Sequence, residues 1–258
     1  MRLEQYVEDL KRDDTPSSYV ELDKDAEIQY MRTHLYIFKK TVQAIPVSSK
    51  TIRILDIGPT PFTMFLKKIF PNNQIWALDR TGLLRDRFAK ANVQMKICDL
   101  DGETIPFEDD YFDVVIFTEV LEHVFAPPTQ ILKEIKRIMR PKGKLIISVP
   151  NIASLSKRIG LLKGISPLEN PDSQMRKDWV HGHGHIHEYT REEILSLIKA
   201  VNLNALNVRM LSGNMSYLYM LSLLPKFKLR DFIYRFLIRA VPEFRDVIHI
   251  VSEKHVDE

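Results

Sequence analysis

The sequence predicts an α/β fold: a doubly wound, mostly parallel sheet of seven strands, with helices ahead of it and a helical insertion before its last strand. Three observations carry that expectation. From Thr51 onward, short runs of β-branched and aromatic residues alternate with amphipathic stretches at helical spacing, the repetition that builds a parallel sheet. The runs stay apolar along their length, as strands covered on both faces require; Val114, Val115, Ile116 and Phe117 are the clearest case. Polarity returns abruptly at their ends, at Asp56, Asp79, Asp99 and Thr118, where such sheets place their sites.

Taken in order, residues before about Ser49 read as helical. Ile28, Met31, Leu35, Phe38 and Val42 recur at alternating spacings of three and four, giving one apolar stripe and an N-terminal helical cap over residues 1–48. Strands are then expected at residues 52–56, 74–79, 93–99, 113–118 and 144–149, in a domain running over 49–258. Between the last two, Ile131, Leu132, Ile135, Ile138 and Met139 form a helix face that Pro141 and Gly143 stop. Thr190-Arg191-Glu192-Glu193 is a capping box, and the helix it opens carries Ile194, Leu195, Ile198 and Val201 on one side. Strands at 205–211 and 247–251 finish the chain. Between them, at about 212–245, an insertion places Leu229, Phe232, Ile233, Phe236 and Leu237 on one helical face. There Lys226, Lys228, Arg230, Arg235, Arg239 and Arg245 outnumber Asp231 and Glu243, the pattern of a basic amphipathic helix.

Composition narrows the function classes. With 258 residues, 45% hydrophobic and 28% charged, the chain can bury a large core. Its one cysteine, Cys98, excludes an internal disulfide. Acidic residues stand near the N-terminus where a signal peptide would be apolar, so a cytoplasmic location is expected. No apolar run approaches the roughly 18 residues of a spanning helix. A net charge of +3 admits an anionic partner or peripheral membrane contact through residues 226–241. The basic residues form a helix face without a continuous tract, which argues against nucleic acid as the main partner.

The strand Ile54-Leu55-Asp56-Ile57-Gly58 runs into a turn, and Asp79 closes the next strand 21 residues after Gly58, the spacing at which a carboxylate takes ribose hydroxyls. Asp99-Leu100, then Glu119-Val120-Leu121-Glu122-His123, then Pro141-Lys142-Gly143-Lys144 follow at later strands. Together, residues 54–151 resemble the S-adenosylmethionine-dependent methyltransferases of Rossmann-like fold, in particular a small-molecule and glycan-type subgroup with a Glu-Val-Leu-Glu-His motif. With the Thr190 helix, the resemblance covers roughly two thirds of the chain. It implies that Asp56, Gly58 and Thr60 line the methionine end of the cofactor, Asp79 holds the ribose, Asp99 and Leu100 contact adenine, and Glu119 stands with them. The first loop departs from the family pattern. Gly58-Pro59-Thr60-Pro61-Phe62 lacks two of the three usual glycines, and its prolines remove N–H donors, which counts against a pyrophosphate cofactor such as NAD or FAD.

The resemblance implies methyl transfer, expected on oxygen of a small molecule, sugar or lipid-linked glycan, by in-line displacement with a histidine as general base. His185, five residues ahead of Thr190, is the first candidate, with His123 and Glu122 beside it; alternating His181, His183, His185 and His187 also suit a polar lid or a metal tract. Terminal 2′-O-methyltransferases of small RNAs and polyprenyl catechol O-methyltransferases carry a similar Glu-x-x-Glu-His run and use it for a divalent ion. By that similarity Glu119, Glu122, His123 and His185 form the metal set of an alternative, metal-assisted transfer to a ribose or catechol hydroxyl. An alternative of another class is a non-catalytic cofactor-binding or scaffold protein, motivated by the missing glycines. The segment from Asn151 to Ser156, with Arg158 and Gly160, resembles methyltransferases of cell-surface polysaccharide or glycolipid assembly.

Overall fold

A computed structural model of the protein describes residues 2–10, 24–168, 184–212 and 230–255. Its strands are β1 (Arg53–Ile57), β2 (Gln74–Asp79), β3 (Gln94–Ile97), β4 (Phe112–Thr118), β5 (Met139–Pro150), β6 (Leu203–Leu211) and β7 (Val247–Lys254). They form one seven-stranded sheet in the order β3-β2-β1-β4-β5-β7-β6. The first five run parallel, and β7 runs antiparallel to both β5 and β6. The expected doubly wound Rossmann-like sheet is therefore present. The chain leaves β1 for β2 on one side and returns as β4 on the other, which opens a crevice at the C-terminal ends of β1 and β4.

Consecutive strand residues enter opposite layers of the core. Leu55, Ile57, Val115, Phe117, Leu145 and Ile147 face one side, where α6 (Pro128–Ile138) and α8 (Arg191–Ala200) cover them. Ile54, Val114, Ile116 and Ile146 face the other, under α1 (Leu3–Leu10), α2 (Lys24–Thr33), α3 (Leu35–Ala44), α4 (Pro61–Ile69) and α5 (Arg85–Lys90). Tyr6, Met31 and Phe38 lie in this second layer with Phe62, Phe65 and Phe88, so the N-terminal helices share the main core. An ion pair of Glu27 with Arg87, 2.9 Å long and largely buried, ties α2 to α5.

One local expectation holds in detail and two change. The N-terminal stripe packs as expected in the second core layer, shared by α2 and α3, which part at His34: its backbone N–H and its Nδ1 both reach the Tyr30 carbonyl, at 3.0 and 2.8 Å, and the rings of Tyr30 and His34 lie 4.0 Å apart, tilted by 32°. A side chain that engages the preceding turn in this way competes with helix continuation. Met139 leaves the α6 face and begins β5, paired with Phe112. Pro141 and Gly143 lie inside the irregular start of β5, where a Cβ on Gly143 would stand 2.7 Å from the Arg140 carbonyl oxygen.

Beyond β5, α7 (Leu155–Leu162) packs on α9 (Arg230–Ala240) through Leu155, Tyr234, Ile159, Leu237 and Ile238. The packed face of α9 is thus rotated from the expected one, and Phe232, Ile233 and Phe236 are exposed. Residues 213–229 of the insertion, including Lys226, Lys228 and Leu229, lie outside the described residues, as do His181 and His183. Among the described residues no helix is long and apolar enough to cross a membrane.

Candidate active site

The turn after β1 is built on Gly58, whose φ is +70°. A Cβ there would stand 2.4 Å from Val120 Cγ2, so the turn after β1 and the turn after β4 touch at this residue. The missing glycines are not needed in this geometry. Thr60 is extended and caps α4: its Oγ1 accepts from the Phe62 N–H at 3.2 Å, while its own N–H donates to Thr63 Oγ1 at 3.3 Å. Pro61 occupies the first helical position, where an N–H would have no partner. Thr63 Oγ1 then donates to Asp56 Oδ2 at 2.6 Å, and burial pushes the Asp56 carboxyl up to about 7 against that bond. Thr60 therefore enters the site as a helix cap, with its amide engaged.

Asp79 ends β2. Its Oδ1 accepts from Thr81 N–H and Thr81 Oγ1 at 2.8 and 3.3 Å, and burial raises its carboxyl despite them. After β3, Asp99 Oδ1 accepts from the Asp101 N–H at 3.1 Å, and Asp101 Oδ1 accepts from Phe125 and Ala126 N–H at 2.6 and 2.8 Å. That bond set joins the loops after β3 and β4. Leu100 packs, partly buried, against the core beneath.

The end of β4 supplies the remaining groups. Glu119 holds φ +56°, uncommon for a residue with a Cβ, and its Oε1 accepts from Ser148 Oγ at 2.7 Å. Burial lifts its carboxyl to about 7, opposed by Ser148 and Lys157. Glu122, in a 3₁₀ turn at Leu121–His123, is 1% exposed, and burial followed by the Glu119 charge drives its carboxyl well above the usual range. Among the described residues, neither carboxylate oxygen of Glu122 has a hydrogen-bond partner. Its backbone carbonyl does: Ile186 N–H donates to it at 2.7 Å. Tyr189, at the other end of that segment, bridges to Asn151 at the end of β5.

This clamp sets His185 beside His123, ring centroids 4.9 Å apart. His185 Nδ1 lies 2.8 Å from Glu188 Oε1, and Lys157 of α7 forms an ion pair with the other Glu188 oxygen. A carboxylate held by a lysine only accepts, so Nδ1 carries the proton and Nε2 is the basic nitrogen. Burial, then the neighbouring His123 and Lys157, pull His185 down to about 3, leaving it neutral. Ligand-type atoms of Glu122, His123 and His185 lie within 4.8 Å of one another. Glu119 is outside that group, and exposed His187 instead faces Glu193 at 3.8 Å.

The phenols of Tyr30 and Tyr36, on the N-terminal helices, lie within electrostatic reach of these carboxylates. Burial makes both phenols harder to ionise; the carboxylates of Glu119, Glu122 and Asp56 add to this at Tyr30, and those of Glu119 and Asp246 at Tyr36. Sequence reasoning missed these tyrosines, Lys157 and Glu188. Glu188 had a signal, standing three residues after His185, but Lys157 had none in a helix with no marked acidic neighbour.

Residues 55–147 match a family model described as a methyltransferase domain. The chain is 30% identical over 89 residues to the ubiquinone/menaquinone biosynthesis C-methyltransferase UbiE of Cupriavidus necator, covering 32% of this chain and 35% of that protein. It spans less than half the length of the curated relatives it matches. Among solved structures, a chain from the complex of the Haloferax volcanii Trm112 methyltransferase activator with a methyltransferase superposes with a TM-score of 0.60 at 14% identity, covering 100% of this chain and 97% of that one. The [4+2]-cyclase SpnF superposes at 0.55 with 14% identity, covering 99% and 94%. These likenesses show the fold, and the cyclase shows that the fold alone does not fix the reaction.

Proposed function

We propose that this protein is an S-adenosylmethionine-dependent methyltransferase of Rossmann-like fold, acting on a hydroxyl of a small molecule, sugar or lipid-linked acceptor. The observation that supports it best is the reversal of strand order between β1 and β4, at whose C-terminal ends Gly58 and Glu119 stand while Asp79 closes the adjacent β2, within the segment that matches a methyltransferase domain model. The residues present fit the cofactor. Gly58 leaves no room for a Cβ, and the turn has no need to cradle phosphates. Both Thr81 bonds fall on Asp79 Oδ1, which leaves Oδ2 for ribose hydroxyls. Asp99 and Leu100 would border the adenine. Asp56 and Glu119 carry carboxyls raised to about 7, which a cationic ammonium or sulfonium would draw back to the ionised state.

When bound, the cofactor supplies a methyl group on a positively charged sulfur. The chain's own task is to hold an oxygen nucleophile in line, exclude water and receive a proton. His185, held neutral, offers Nε2 as a hydrogen-bond acceptor that orients the acceptor hydroxyl, and Glu188 Oε1 on Nδ1 fixes the ring in that tautomer. His123 and Glu122 border the same position. The UbiE relatives, named C-methyltransferases, favour a second reading in which the acceptor atom is carbon.

Transfer of labelled methyl from the cofactor to pooled sugars, phenols and lipids, with the product bond assigned by mass spectrometry, tests this. Methylated product is expected, with His185→Ala lowering turnover by roughly 10²-fold and leaving cofactor affinity intact. Equal turnover in His185→Ala removes that residue from the reaction, and a C–CH3 product replaces the oxygen acceptor by carbon.

A further inference from the structure

Helix α9 carries apolar residues on two faces. Tyr234, Leu237 and Ile238 turn toward α7, where they pack with Leu155 and Ile159. At 3.6 residues per turn, Phe232 and Phe236 lie together on the outer side, 65% and 60% exposed, with Ile233 beside them. A helix that only covers its neighbour presents a polar outer face; this one presents an aromatic outer face. Among the described residues twelve large apolar side chains are exposed, and seven of them lie at residues 161–168 or on α9. Single exposed apolar residues are ordinary, but such a concentration on one packed pair of helices marks an interaction surface.

The charges beside that face select its partner. Arg235 and Arg239, again four residues apart, run along its edge and are exposed, and Lys163 stands exposed after Leu162 at the end of α7. Asp231 is the one acidic residue of α9, and it is partly buried. An aromatic face edged by arginines suits a helix lying in the plane of an anionic bilayer, where the rings enter the boundary of headgroups and acyl chains and the guanidinium groups meet lipid phosphates. A second copy of the chain fits less well, because a two-fold contact through this face would bring its arginines against one another.

We propose that the outer face of α9, together with the end of α7, docks on an anionic lipid surface. The place of these helices in the fold gives the docking a use. Helix α7 starts just beyond the C-terminal end of β5, and Asn151 Nδ2 donates to the Glu243 and Arg245 carbonyls at 2.8 and 2.7 Å, which ties the turn after α9 to the same strand end. That is the crevice end of the sheet, since β4 and β5 run parallel. Lys157 of α7 also reaches Glu188, the partner of His185. A chain docked through α9 therefore holds its crevice near the lipid surface, where a lipid-linked acceptor is concentrated. This consequence for the acceptor rests on the methyltransferase reading; the docking surface itself does not.

The test sediments the full chain with phosphatidylcholine vesicles, with and without about one third phosphatidylglycerol, and measures S-adenosylhomocysteine binding in parallel. Binding to the anionic vesicles is expected to be at least about tenfold tighter than to phosphatidylcholine alone, and to weaken with added salt. Replacing both rings, Phe232→Ser with Phe236→Ser, should weaken it at least about tenfold. Arg239→Glu should weaken it roughly fivefold or more. Both rings are exposed, so the fold should persist in the double variant, as unchanged circular dichroism would verify. Val47→Ser, at a residue 98% exposed ahead of β1 and so at the opposite end of the sheet, should leave vesicle binding unchanged. Absence of vesicle binding, equal binding to the two vesicle types, or equal binding in the double variant overturns the proposal. A dimer seen by sedimentation velocity without vesicles, and lost in the double variant, overturns it too by assigning the face to a second copy. Vesicle binding without S-adenosylhomocysteine binding would leave the docking surface standing and defeat the methyltransferase reading; the converse result would do the opposite.

Discussion

At Gly58 the backbone turns through φ +70°, and a Cβ there would stand 2.4 Å from Val120 Cγ2. Both constraints act on one residue, so Gly58→Ala should cost roughly 2–4 kcal/mol, the sum of a left-handed backbone and an overpacked contact. Urea unfolding measures this, and adding Val120→Ala should recover the steric share while leaving the backbone share. An unchanged unfolding midpoint in Gly58→Ala would contradict the geometry. Gly58 was legible in the sequence because a glycine after an apolar run ending in Asp56 marks a turn. What was not legible is that Thr60, read as a cofactor contact, has its amide tied to Thr63. Its cap depends on the side chain three residues on, and the loop's proline spacing hides it. Glu122 was legible as a site carboxylate, but its deep burial is a property of packing alone.

Helix α8 shows what local chemistry can predict. Thr190 Oγ1 accepts from Glu193 N–H at 3.3 Å and Glu193 Oε2 accepts from Thr190 N–H at 2.7 Å, the reciprocal cap expected from the four-residue motif. Thr190→Ala should lower stability by about 1 kcal/mol, read by denaturant unfolding, with cofactor-product binding retained because the cap touches no cofactor residue. A loss of binding in this variant would place the cap in the site. The N-terminal stripe shows the opposite case. Periodicity ran through His34 without a break, since a helix and two helices parted by one residue share nearly the same spacing. His34 Nδ1 bonds the Tyr30 carbonyl where the two helices part, and periodicity carries no record of that bond. The same applies to α9, where contact with Leu155 and Phe244 turns Tyr234 inward and leaves Phe232 and Phe236 exposed.

Across the whole molecule, the doubly wound, mostly parallel sheet followed from the alternation of strands and helices, because such a pattern has few ways to connect. The site did not follow in full. It draws on β1, β2 and β4, on Tyr30 and Tyr36 from the N-terminal helices, on Lys157 of α7, and on a clamp between the Glu122 carbonyl and Ile186. Such long-range meetings are set by packing, while the strand ends that frame the crevice are set by local patterning. The central claim is that this crevice binds S-adenosylmethionine through Asp79. Calorimetric titration with S-adenosylhomocysteine tests it most directly: one saturable site in the native chain is expected, weakened roughly 10- to 100-fold by Asp79→Ala, the cost of losing charged hydrogen bonds to the ribose. No saturable binding, or equal affinity in Asp79→Ala, would contradict the account.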